Sequence, residues 1–131
     1  MPATARPLSP HLSVYRWQIQ MVTSILHRAS GVALAAGTLL VVAMLLSLAA
    51  GPEAWARMSA FSRSWFGVVL LAGFSWAFSF HLLNGIRHLG QDLGWGYRID
   101  QFVRNGWLAS IGSIVLAVLL CACVITQWGG A

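Results

Sequence analysis

Residues 105–131 read NGWLASIGSIVLAVLLCACVITQWGGA and contain no charged side chain. A helix needs roughly 20 residues, at about 1.5 Å each, to cross some 30 Å of hydrocarbon. This run exceeds that length. Upstream, residues 64–86 and 29–52 are equally free of Asp, Glu, Lys and Arg. Three such runs in 131 residues predict three transmembrane helices, near 26–50, 64–88 and 105–127, joined by short links in an up-down-up bundle.

Composition agrees. Hydrophobic residues make up 58% of the chain and charged residues 8%, against roughly 25% charged in a soluble domain. There is too little polar surface to cover a water-soluble globule, and the chain is short enough to form a single membrane domain. All eight basic residues are arginine, and with Glu53, Asp92 and Asp100 they leave a net charge of +5. The arginines are scattered beside apolar runs, which fits anchoring at a membrane surface and not nucleic-acid binding. Cys121 and Cys123 lie inside the third run at i, i+2, point to different helix faces and read as small apolar fillers.

Arginine also sets the expected orientation. Arg6, Arg16 and Arg28 precede the first span, and Arg87, Arg98 and Arg104 fall on the same side in the second link. The opposite side has only Arg57 and Arg63. The positive-inside rule then puts the N-terminus in the cytoplasm (or matrix) and the C-terminus outside. Trp65, Trp107 and Trp128 near span ends fit interfacial anchoring. Residues 1–23 are expected to lie on the membrane surface or against a soluble partner. No cleavable leader is evident in them, which fits a bacterial inner membrane better than a mitochondrial one.

Small residues repeat every four positions: Ala29, Ala33 and Gly37 in the first span, and Ala109, Ser113, Ala117 and Cys121 in the third. Such stripes let helices approach closely in lipid. Three helices make a small bundle, so some stripes are expected to meet another chain.

Ionisable groups inside a span are costly and point to function. Ser24, His27 and Arg28 stand at i, i+3 and i+4, so one face would present a hydroxyl, an imidazole and a guanidinium. Such a face suits an anionic or carbonyl-bearing ligand; equally, Arg28 and His27 can snorkel to the interface. The second cluster is His81, Asn84, Arg87 and His88, followed by Asp92. His81 lies about seven residues inside its span, roughly 10 Å at helical rise, and needs a partner. Gly73, Ala77 and Gly85 flank it at four-residue spacing and leave room for a flat ligand such as haem. The alternative is a histidine hydrogen-bonded to a serine or a backbone carbonyl of a neighbouring helix. With a single deep histidine, a bis-histidine haem would take its second ligand from another chain. His88, with Arg87, would stand at the surface near propionates or conduct protons, and Asp92 would pair with Arg87 or His88 or remain solvated.

The runs Arg6-Pro7-Leu8-Ser9-Pro10-His11-Leu12, Ser24-Ile25-Leu26-His27-Arg28-Ala29-Ser30-Gly31 and His81-Leu82-Leu83-Asn84-Gly85-Ile86-Arg87-His88-Leu89 with Asp92 resemble the cytochrome b556 subunits of succinate dehydrogenase. These are the larger membrane anchors of respiratory complex II. The resemblance spans most of the chain. It implies that His81 is the axial ligand of haem b iron, with the second ligand on a smaller anchor subunit that completes the bundle. It implies that Ser24 and Arg28 bind ubiquinone, and that His27, Arg28 and His88 lie near the haem propionates. It further implies a flavoprotein subunit carrying FAD, a subunit carrying iron–sulfur clusters, and electron transfer from succinate to quinone. Rival readings are a fumarate reductase anchor, a haem-free anchor tethering a soluble complex, and a small transporter subunit using His81 as a proton relay. Against the last, the second span offers no acidic partner for His81, and no internal repeat is visible.

Overall fold

The computed structural model describes His11 and residues 14–129, with the backbone alone for residues 128–129. The Arg6–Leu12 motif apart from His11, and the anchoring expected of the Trp128 ring, lie outside the described residues. Four helices follow one another: α1 Ile19–Ala49, α2 Pro52–Arg63, α3 Trp65–Asp92 and α4 Ile99–Gly129. Among the described residues there is no strand. Helices α1, α3 and α4 are long and apolar enough to cross a membrane. Helix α3 packs against both α1 and α4, and α1 also touches α4.

The helices overrun the expected spans. Helix α1 begins at Ile19 instead of near 26, and α4 at Ile99 instead of near 105. Residues 19–23 are therefore helical, and Thr23 is fully buried. Hydropathy marks only the part of a helix that sits in hydrocarbon, whereas the backbone hydrogen-bond ladder continues into the polar layer.

The first link is itself a helix. Gly51 takes φ +108° and Pro52 supplies the first helical position, a start suited to both residues. Glu53 in the first turn and Arg63 in the last complement the helix dipole. Ser64 ends α2 and caps α3, its Oγ accepting from the Gly67 N–H at 3.1 Å. A Cβ at Gly67 would collide with the Phe61 carbonyl, so glycine lets α2 lie against the start of α3.

Burial is inverted relative to a soluble protein. The buried residues are mostly small or polar, among them Ala77, Ala109 and Ala117, with Thr23, Ser30, Ser62, Ser79, Asn84 and Ser113, and Phe80 as the large exception. Trp65 is 81% exposed and Ile99 84%. In lipid nothing drives Leu or Ile inward, and helices associate by close approach of small side chains. The buried hydroxyls bond within their own helices, Ser79 to the Ser75 carbonyl at 2.8 Å and Ser113 to that of Ser110 at 2.7 Å.

The two small-residue stripes have different fates. On α4, Ala109, Ser113 and Ala117 are buried in the bundle. On α1, Ala29 and Ala33 are exposed. Gly37 alone presses on α3, where an added Cβ would overlap the Phe74 ring. Ala33, Ala36, Gly37 and Gly73 help line an open groove of about 470 Å³ between α1 and α3.

Candidate functional site

Polar groups gather where α1 begins and α3 ends. His27 on α1 stacks on His81 of α3, with ring centroids 4.0 Å apart and planes 11° from parallel. His88 leans on His27 at 5.1 Å. On α3, His81, Asn84 and His88 stand at i, i+3 and i+7 and so share the face turned to α1.

His81 is held through Nδ1. That nitrogen lies 3.2 Å from the His27 carbonyl oxygen and 3.2 Å from Ser30 Oγ. The Ser30 hydroxyl itself donates to the His27 carbonyl at 2.9 Å and is buried. A backbone carbonyl can only accept, so this arrangement places the proton on Nδ1 and leaves Nε2 with its lone pair. The hydrogen bonds of His81 to the described residues all run through Nδ1 and leave Nε2 unused. Gly31 provides the space beside the ring: a Cβ there would stand 3.1 Å from His81 Cε1.

Asn84, fully buried, links two neighbours. Its Nδ2 donates to His88 Nε2 at 3.3 Å and its Oδ1 accepts from Arg87 Nη1 at 3.1 Å. Arg87 turns away from the imidazoles and lies over the Phe102 ring of α4, 4.6 Å from its centroid. Asp92 is exposed and pairs with neither Arg87 nor His88; the described ion pair joins Arg98 to Asp100 at 3.4 Å.

Ser24, His27 and Arg28 do not act as one face. Ser24 and Arg28 are exposed, with Arg28 Nη2 donating to Ser24 Oγ at 3.3 Å. His27 is turned to α3. At about 100° per residue, positions i and i+4 differ by about 40° but i+3 and i+4 by about 100°. That angle is enough to put His27 inside and Arg28 outside.

The room expected around His81 from its own helix is also redistributed. Ala77 is buried in helix packing, Gly85 faces His27 and Gly73 faces open space, so Gly31 of the neighbouring helix is what spares the imidazole. Ser30 and Asn84 were legible only as polar residues beside the histidines; their signal was a hydroxyl three residues after His27 and an amide three after His81. Among the described residues no set of three His, Cys, Asp or Glu side chains could ligate a metal ion. The clustered imidazoles stack instead of converging, and His81 alone offers a prepared nitrogen.

An apolar three-span bundle with a histidine cluster at one end, finished on one side and open on the other, defines a membrane-anchor subunit of a larger assembly. The family of succinate dehydrogenase/fumarate reductase transmembrane subunits matches residues 2–120. The succinate dehydrogenase cytochrome b556 subunit of Paracoccus denitrificans is 45% identical over 114 residues, covering 87% of this chain and 88% of its own. That of Rickettsia typhi is 38% identical over 122 residues, covering 88% and 90%. The mitochondrial cytochrome b560 subunit of Mus musculus is 40% identical over 116 residues, covering 87% of this chain and 66% of its own. The chain belongs to the succinate dehydrogenase/fumarate reductase transmembrane subunit family. It is a membrane subunit of an oxidoreductase complex and not a catalyst by itself.

Proposed function

We propose that this chain is the larger membrane anchor of a succinate:ubiquinone oxidoreductase, and that it shares a haem b with a smaller anchor subunit while forming part of the ubiquinone site. The observation that carries this reading is His81, whose Nδ1 is tied to the His27 carbonyl and Ser30 while Nε2 is left free. An outer hydrogen bond of this kind orients an imidazole and raises its basicity as an iron ligand. When bound, haem b would supply a one-electron store. The remaining work falls to side chains of this chain.

Ser24 donates a hydrogen bond to one carbonyl of ubiquinone, and Arg28 stabilises the negative charge that develops on that oxygen as electrons arrive from the iron–sulfur partner. Their mutual contact at 3.3 Å is long and easily exchanged for a ligand. His27 and His88 would hold the haem propionates, and the Nδ1 of His27, buried without a partner among the described residues, is available to an acceptor or a proton. Flavoprotein and iron–sulfur subunits oxidise succinate and dock on the side that carries six of the eight arginines. The arginine bias puts that side in the cytoplasm of a bacterial cell, with the C-terminus in the periplasm.

The test is succinate-driven ubiquinone reduction by the complex that copurifies with this chain in mild detergent. Ser24→Ala and Arg28→Leu should depress it while succinate oxidation by an artificial dye persists. Undiminished quinone reduction in both variants would remove the quinone assignment. Copurification without succinate-driven reduction would turn the reading to a fumarate reductase anchor or a haem-free tether.

A further inference from the structure

Arg87 touches the site above only through Asn84, and two of its donors are unsatisfied among the described residues. Nη1 is engaged by Asn84 and one face by the Phe102 ring, but Nε and Nη2 are buried without a partner among the described residues. These two nitrogens lie along one edge of the planar guanidinium, the edge that matches two oxygens of a phosphate. Arg87 lines a groove of about 340 Å³ between α3 and α4. Leu83, Ile86 and Leu108 form its apolar wall; Gln91, Asn105 and Trp95 form its rim. Among the described residues no acidic side chain lines it.

We propose that this groove holds a membrane phospholipid, with the phosphodiester on Arg87 and an acyl chain along the wall. The wall decides between occupants. Ile86 is 56% exposed and Leu108 62% on the outer surface of two spanning helices, so whatever binds the cation continues as an apolar chain. A free phosphate leaves that wall uncovered, and a soluble partner's carboxylate has no reason to follow it. Trp95, 70% exposed at the rim, is placed as interfacial aromatics are, at headgroup level. The site lies across α3 from His81 and does not depend on the haem or quinone assignments.

The test uses the intact complex in maltoside micelles, which contain no phosphate, supplied with phosphatidylglycerol bearing a diazirine on its acyl chain. Irradiation should label α3 and α4 around Leu83, Ile86 and Leu108. Arg87→Gln should reduce that labelling several-fold, and Arg104→Gln, an exposed arginine at the same end, should not. Leu108→Trp, which fills the slot and keeps Arg87, should also reduce it, and it decides the matter if Arg87→Gln does not assemble. Labelling that is absent from the wild type, or equal in all variants, would overturn the proposal. So would displacement of the photolipid by inorganic phosphate, which would identify a free anion. Protection of the groove by a partner subunit or by residues 1–10 of this chain would show that protein covers it.

Discussion

The two faces of α1 near its start contrast sharply although their residues are neighbours in sequence. Facing α3, His27, Ser30 and Gly31 meet His81 and are organised by contacts within this chain. Facing away, Ser24 and Arg28 are exposed, and among the described residues Arg28 hydrogen-bonds to Ser24, at 3.3 Å to Oγ and 3.4 Å to the carbonyl. The small-residue stripes repeat the contrast: that of α4 is buried by α3, whereas Ala29 and Ala33 of α1 face outward. The inward half of the site is thus prepared by one polypeptide, and the outward half is completed by whatever covers α1. On the proposed function, an anchor built this way fixes the His81 imidazole before assembly and leaves Ser24 and Arg28 to be covered afterwards.

That contrast can be broken most severely on the outward side. Arg28→Leu is expected to lower succinate–ubiquinone turnover of the complex by about 10²-fold, the usual consequence of removing one preorganised donor from a developing oxyanion. Dye-linked succinate oxidation measured on the same sample should stay near the wild-type rate. Parallel loss of both would mean that Arg28 supports assembly, contrary to the division between the two faces.

A smaller effect should separate the two stripes. Ser113→Leu forces bulk between α3 and α4 and is expected to destabilise the bundle by about 1–3 kcal/mol, visible as a lower thermal midpoint of the purified complex. Ala33→Leu should leave that midpoint closer to wild type and instead reduce the amount of second anchor subunit recovered. If the two variants behave alike, the stripes are not divided between inner and outer packing.

Ser30→Ala sharpens the inward half. It removes one hydroxyl from the His81 anchor but leaves the His27 carbonyl as acceptor, so the expected change is about 1 kcal/mol in His81 orientation. It should appear as a shift in haem midpoint potential with haem content retained, and Ser30→Thr should restore it. Smallest of all, Gly31→Ala crowds His81 Cε1 from 3.1 Å and should move the haem absorption maximum slightly without loss of the group.

The three spans were legible because a charge-free apolar run longer than a bilayer is thick finds its stable place in lipid. Helix α2 was not, because residues 51–63 carry Glu53, Arg57 and Arg63; its helicity rests on the Gly51–Pro52 start and on packing against Gly67. The members of the site were legible as costly polar residues in apolar surroundings, but their directions were not. Spacing put Ser24, His27 and Arg28 on one face, whereas His27 turns to α3 and the other two face outward. Arg87 adjoins His88 in sequence and so read as its companion. Its extended side chain reaches Phe102 on α4 instead, a contact between residues far apart along the chain. The tautomer of His81 depends on Ser30 and the His27 carbonyl, both on another helix, and no reading of α3 alone could supply it.

The most direct test of the central claim is the reduced-minus-oxidised absorption spectrum of the purified complex, wild type beside His81→Leu and His27→Leu. A b-type spectrum that disappears in His81→Leu and persists in shifted form in His27→Leu is the predicted result. An unchanged spectrum in His81→Leu would contradict the assignment of the prepared nitrogen, and with it the division between a finished inner half and an open outer one.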